Sequence, residues 1–291
     1  MMAWAMPGCG IGGNMSYKII GDSCTDLTKE MREDGRIQII PLTLTVGTED
    51  IVDDESFDQA GFLKKMKECS ECPKSACPSP EAYMEAFEGA EEVYVVTLSS
   101  HLSGSYNAAE LAKMLYLEKH PNKKIEVIDS RSAAAGQTLI ALKLIEEKEA
   151  GTSFEETTNR VRKFRDRLKT KFVLESLDNL RKNGRLSNIT AALCSVLNIK
   201  PVMCGVEGRI EKLDQARGMT KALMKMIRYI EEDITDAKKR IFAITHCNCR
   251  ERAEFVRDEV LKKVPFRDVI ILEAAGVSSM YANDGGIVVA Y

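Results

Sequence analysis

The chain has 291 residues, 44% of them hydrophobic and 29% charged, which describes a soluble globular protein long enough for two domains. Its net charge of −3 excludes the basic face that phosphate neutralisation requires, and one Trp with 6% aromatics leaves little for stacking bases, so nucleic acid is not an expected partner. No window approaches the apolar length of a membrane span, and no stable membrane insertion is expected.

Residues 1–14 lack the basic start and continuous apolar run of a secretory signal, and read as a disordered extension before a fold that opens at Met15. The nine cysteines, an odd number without a signal ahead of them, are expected as reduced thiols, which places the protein in the cytoplasm. Tyr17-Lys18-Ile19-Ile20 is a short strand that delivers Gly21-Asp22-Ser23-Cys24-Thr25-Asp26 to a helix starting near Leu27. Residues 37–46 read as one further strand, near an edge or bend because Pro41 cannot donate to a ladder. A helix over 57–68 leads to the loop Cys69-x2-Cys72-x4-Cys77, which has three of the four ligands a zinc site needs. No metal is assigned to it; it reads as a reduced turn whose Ser75 faces a cleft.

A helix over 80–89 comes before the stretch that organises the chain. Val93-Tyr94-Val95-Val96-Thr97-Leu98 is a buried strand, Ser99-Ser100-His101-Leu102-Ser103-Gly104-Ser105 a hydroxyl-rich turn, and residues 106–120 a helix. A helix start presents unpaired N–H groups and the positive end of its dipole, and serine hydroxyls beside them suit an anion. The blander reading makes Ser103 or Ser105 an ordinary N-cap. Lys124-Ile125-Glu126-Val127-Ile128-Asp129 repeats the pattern, ending at Ser130-Arg131-Ser132 before a helix over 133–149. Such β-α-β-α alternation predicts a mainly parallel sheet with ligands at the carboxyl ends of its strands.

A helix over 154–168 bridges to the second half, so residues 15–165 and 166–291 are expected as N-terminal and C-terminal α/β domains. Lys171-Phe172-Val173-Leu174 is a strand and 177–182 a short helix, after which the Asn183-Gly184 turn projects Arg185. That arginine is a fork for carboxylate or phosphate, a contact for a partner, or half of a surface ion pair. A small-residue helix over 190–197 comes next, then a strand over 200–205 and a hairpin at Glu207-Gly208. Helices over 219–232 and 250–262 alternate with strands over 240–245 and 269–273, and a glycine-led strand ends the chain at 285–291. His246 beside Cys247-Asn248-Cys249 lacks a full ligand set and reads as packing. No phosphate-binding or dinucleotide fingerprint is present, so no cofactor is expected.

Taken in order, these segments resemble the DegV family, which includes the fatty-acid-binding subunit of bacterial fatty acid kinase. The match runs from about Lys18 to Tyr291 and rests on Asp22-Ser23-Cys24-Thr25-Asp26, the Ser99 to Tyr106 loop, Val127-Ile128-Asp129-Ser130, Asn183-Gly184-Arg185-Leu186, Ile199-Lys200-Pro201-Val202 and Ala216-Arg217-Gly218. The resemblance implies two α/β domains, the first with a mainly parallel sheet and the second with a mixed one. A long-chain fatty acid would lie between or within them, with its carboxylate held by hydroxyls and one histidine. It places the ligand contacts at Ser100 and Ser75, with Ser99 and Ser23 in the same turns, and makes Arg185 a candidate contact for a separate kinase. The family's histidine falls on Tyr281, a phenol that donates one hydrogen bond but carries no positive charge near neutral pH. Phosphoryl transfer would lie on the kinase, leaving this chain a non-catalytic subunit. Two alternatives stay open: a DegV-like binder of another lipid or amphiphile, and a metal or redox protein using Cys69, Cys72 and Cys77. An esterase using Ser100 would lack the Gly-x-Ser-x-Gly elbow.

Overall fold

The computed structural model describes residues 15–186 and 198–291. The expected extension over 1–14 and the expected helix over 190–197 lie outside the described residues. The first half runs β1 (Met15–Asp22), α1 (Lys29–Asp34), β2 (Ile37–Ile40), β3 (Thr43–Val46), β4 (Glu49–Val52), α2 (Gln59–Glu68), β5 (Lys74–Ala76), α3 (Pro80–Ala86), β6 (Ala90–Thr97), α4 (Ser105–Lys119), β7 (Lys124–Asp129) and α5 (Ala135–Glu149). After α6 (Phe154–Arg167) come β8 (Thr170–Val173), α7 (Asp178–Lys182), β9 (Ile199–Val206), β10 (Arg209–Arg217), α8 (Met219–Asp233), a 3-10 turn (Ala237–Lys239), β11 (Ile241–His246), α9 (Arg250–Leu261), β12 (Asp268–Glu273), α10 (Gly276–Ala282) and β13 (Ile287–Ala290).

The first sheet is parallel throughout, in the order β2-β1-β6-β7. Its strands are apolar on both faces because helices cover both. Along β6, Val93 and Val95 pack with Tyr83, Phe87 and Tyr116 of the α3 and α4 layer, whereas Tyr94 and Val96 join Leu139 and Ile140 of α5 on the other side. The second sheet is mixed, in the order β10-β9-β8-β13-β11-β12, with only β11 and β12 parallel among its pairs. This is the two-domain α/β architecture. α5 joins the halves: it is apolar around most of its circumference, and Leu139, Ile140, Leu142, Leu144 and Ile145 share one core with Ile128 of the first sheet and Ala243, Leu272 and Ala290 of the second.

Residues 37–46 form two strands instead of one. β2 belongs to the first sheet, while β3 leaves it after Pro41 to pair with β4 and β5 in a small antiparallel sheet. Proline has no N–H to continue the first ladder, and the Leu42 N–H turns instead to the Ser23 hydroxyl at 3.0 Å. The cysteine loop contributes β5, which sets Ser75 opposite Leu44. α6 is continuous through residue 165, where the expected boundary falls.

Candidate functional site

The carboxyl ends of β1, β6 and β7 converge, and the turns leaving them are fixed by buried carboxylates. Asp22 accepts from the Leu98 N–H at 2.7 Å and from Gln137 Nε2 at 2.9 Å, which ties β1, β6 and α5 together. Asp26 crosses to the second half, accepting from Thr245 Oγ1 at 2.9 Å, Ser278 Oγ at 3.1 Å and the Ala275 N–H at 2.9 Å. Complete burial pushes its carboxyl up to about 7 against those donors. Asp53 caps α10, taking the Gly276 N–H at 2.6 Å and the Val277 N–H at 2.8 Å on its two oxygens.

α10 carries Tyr281 into a narrow apolar cavity of about 90 Å³. Leu98 and Leu102 wall it from the first half, and Phe172, Leu174, Ile210 and Val288 from the second. The Tyr281 hydroxyl is buried with no hydrogen-bond partner of ordinary geometry among the described residues. Burial raises its pKa, while the Ser75 hydroxyl and Arg185 lie near enough to oppose that rise. Arg185 turns inward: its guanidinium sits 5.9 Å from the centre of the Tyr281 ring, its Nε donates to the Leu102 carbonyl at 3.1 Å, and Nη1 donates to the Asn183 carbonyl. The loop bearing Ser75 is held beside them by Asn183, whose Nδ2 donates to the Pro73 carbonyl at 3.0 Å.

Ser75 and Arg185 therefore both come beside Tyr281, and Tyr281 and Arg185 line the cavity. The other three singled-out serines are committed elsewhere. Ser100 Oγ donates to Asp129 Oδ2 at 2.6 Å and its N–H to Oδ1 at 3.1 Å. Ser99 Oγ, fully buried, donates to the Gly208 carbonyl at 2.7 Å and fastens the β9–β10 hairpin onto the loop. Ser23 accepts from Leu42, as described. α4 starts at a Gly104 N-cap without a side-chain cap, so neither Ser103 nor Ser105 fills that role. Among the described residues no three His, Cys, Asp or Glu side chains are grouped to hold a metal. His246 uses Nδ1 to accept the Cys249 N–H at 3.3 Å.

Asp53 and the cavity-lining Arg131 were not picked out in the sequence, whereas Asp26 closes the Asp22 to Asp26 stretch that was. Arg131 and Ala134 hold φ of 50° and 52° in the turn after β7. Such backbone in a non-glycine residue costs about 1–3 kcal/mol and clusters at functional sites.

Residues 16–291 match the family described as an uncharacterised protein of the DegV family. The chain belongs to the DegV family. A DegV domain-containing protein of Streptococcus gordonii is 37% identical over 280 residues, spanning 95% of this chain and 99% of the relative. Among solved structures, a DegV family protein from Ruminococcus gnavus, refined with vaccenic acid, is 46% identical with a TM-score of 0.93, covering 95% of this chain and all of its own. The Streptococcus pneumoniae fatty acid kinase (Fak) B3 protein loaded with linoleic acid is 35% identical with a TM-score of 0.88, covering 95% of this chain and 99% of its own. DegV structures thus hold fatty acids. No helix among the described residues of this DegV protein is long and apolar enough to cross a membrane.

Proposed function

We propose that this DegV protein binds a long-chain fatty acid in the cytoplasm and presents its carboxylate to a separate kinase, without catalysing the transfer itself. The observation that carries the reading is an apolar cavity between the two halves whose wall bears the unpartnered Tyr281 hydroxyl. A carboxylate placed there accepts from Tyr281 and Ser75 and meets the charge of Arg185, which supplies the cation a neutral phenol lacks. The fatty acids held by the R. gnavus and S. pneumoniae structures support a fatty acid as the ligand. Ser100 reaches the carboxylate only by releasing Asp129, while Ser99 and Ser23 act by fixing the turns. Arg185, at the edge of the cavity, is also the contact proposed for the kinase.

Tyr281 favours a second reading, a binder of another lipid, because a phenol accepts as well as donates a hydrogen bond and so also suits an uncharged headgroup. Native mass spectrometry of protein purified from a bacterial host, with extraction of the bound molecule, separates the two. A stoichiometric fatty acid is expected. A bound neutral lipid, or protein that ignores added fatty acid, overturns the first reading in favour of the second.

A further inference from the structure

The Asp26 side chain leaves the turn after β1 and takes its three hydrogen bonds from the second half. Oδ2 accepts from Thr245 Oγ1 at 2.9 Å and Ser278 Oγ at 3.1 Å, and Oδ1 from the Ala275 N–H at 2.9 Å. Of these donors only Ser278 lines the cavity, together with Cys24 and Tyr281. Ser278 stands three residues before Tyr281 on α10, so the two share a helix face with their Cβ atoms about 5–6 Å apart. Its oxygen also lies 3.7 Å from Cys24 Sγ. A hydroxyl carries one hydrogen, and while Asp26 is a carboxylate that hydrogen is committed to it. Asp22 and Cys24 share the turn with Asp26, Asp53 reaches it from the turn after β4 with Arg32 of α1 behind, and Cys247 follows β11. α5 presents the uncharged Thr138, whose hydroxyl donates to the Asp26 carbonyl at 2.6 Å. Burial keeps both thiols protonated, pushing Cys247 up to about 12 and Cys24 well above the ordinary thiol value. It also lowers His246, the neighbour of Thr245, so that this imidazole is neutral at pH 8.

We propose that Asp26 is a positioning residue for the bound headgroup: a proton taken up on its Oδ2 turns the Ser278 hydroxyl from Asp26 to the ligand's carboxylate, so that a fatty acid binds together with one proton. The inference rests on the fatty-acid reading above. The step moves one proton from water to Oδ2 and breaks no other bond. Protonated Oδ2 donates to Ser278 Oγ, reversing that hydrogen bond, while the Ala275 N–H stays on Oδ1. The freed Ser278 hydrogen then chooses between the Cys24 sulfur, a weak acceptor, and a carboxylate beside Tyr281, a strong one. A second carboxylate nearby also disfavours the charge on Asp26. The coupling is reciprocal, so the protonated protein binds the acid more tightly. Burial suits Asp26 to this role, because it brings the carboxyl up to about 7, where a proton is exchanged near neutral pH.

The test is isothermal titration of delipidated protein with a sixteen-carbon acid carried by cyclodextrin, in paired buffers of different ionisation enthalpy, which counts the protons taken up per bound acid. The acid's own carboxyl is ionised at both pH 6 and pH 8. At pH 8 the native chain is expected to take up more than about half a proton per acid, and at pH 6, where Asp26 is already protonated, close to none. Binding should be about tenfold tighter at pH 6. Asp26→Asn mimics the protonated form, with a carboxamide that donates to Ser278 and accepts from Ala275. It should bind at pH 8 without proton uptake and with the same affinity at pH 6. Ser278→Ala removes only the relaying hydroxyl and should weaken binding at pH 6 about tenfold, with the uptake at pH 8 at least halved. Melting temperatures verify folding, and Ser278→Ala decides alone where Asp26→Asn unfolds. Native protein that binds the acid without proton uptake at pH 8, uptake that persists in Asp26→Asn, or native affinity and uptake in Ser278→Ala overturns the proposal and leaves the fatty-acid reading standing. Native protein that binds no acid at either pH overturns that reading and this proposal with it.

Discussion

Tyr281 is where the proposed headgroup site and the stability of the protein meet. A buried hydroxyl without a partner costs about 1–3 kcal/mol, and the Tyr281 hydroxyl is in that position. Tyr281→Phe is therefore expected to leave the melting temperature of delipidated protein unchanged or slightly raised, while weakening a long-chain acid about tenfold in a fluorescence displacement titration. Ser100 has the converse arrangement, since its hydroxyl is satisfied by Asp129. Ser100→Ala removes one donor from a carboxylate that keeps the backbone N–H groups of Ser100 and Arg131. It should lower stability by about 1 kcal/mol in urea unfolding and weaken acid binding. Unchanged affinity would leave Ser100 with loop anchoring alone. The sequence shows where hydroxyls are but not which are already engaged. The acceptor for Ser99 lies 109 residues along the chain, and nothing local signals it.

α10 shows how an element can be invisible locally and decisive in the fold. Gly276-Val277-Ser278-Ser279-Met280-Tyr281-Ala282 contains one glycine, two serines and a β-branched residue, all weak helix formers, and spans seven residues. Its helical form depends on Asp53 and Asp26, which come from distant turns to take its first N–H groups and those just before it. β6 and β7 needed no such help, because their β-branched runs are buried on both faces and the period shows it. Asp53→Ala leaves two buried N–H groups unpaired, with an expected loss of about 2–4 kcal/mol in urea unfolding and weaker acid binding through displaced Tyr281. Asp26 adds a pH dependence. Its folded pKa, about 7, lies above the unfolded carboxyl value of about 3.8. The folded protein therefore binds a proton that the unfolded chain has released, and this contribution is full below about pH 4 and lost as pH rises towards 7. The slope is at most about 1.4 kcal/mol per pH unit. Asp26→Asn should abolish that component of the stability profile between pH 4 and 7, as read by urea unfolding at several pH values.

At the scale of the whole molecule, the cavity walls come from both halves, so a ligand between them contributes to holding them together. A ligand at one hundred times its dissociation constant adds about 2.7 kcal/mol to stability. For a chain of this size each kcal/mol moves the melting temperature by about 2–4 °C. Loading delipidated protein with a saturating sixteen-carbon acid is accordingly expected to raise the melting temperature by about 5–10 °C. The length of the tail separates the sources of that shift. Each buried methylene is worth about 0.8 kcal/mol, so a ten-carbon acid forgoes about 5 kcal/mol of tail burial while keeping every headgroup contact. At equal concentration it should shift the melting temperature by less than about a quarter as much. Equal shifts from the two acids would mean that the headgroup end, with Tyr281, Ser75 and Arg185, supplies the affinity and that the apolar walls of Phe172, Leu174 and Ile210 do not enclose the tail.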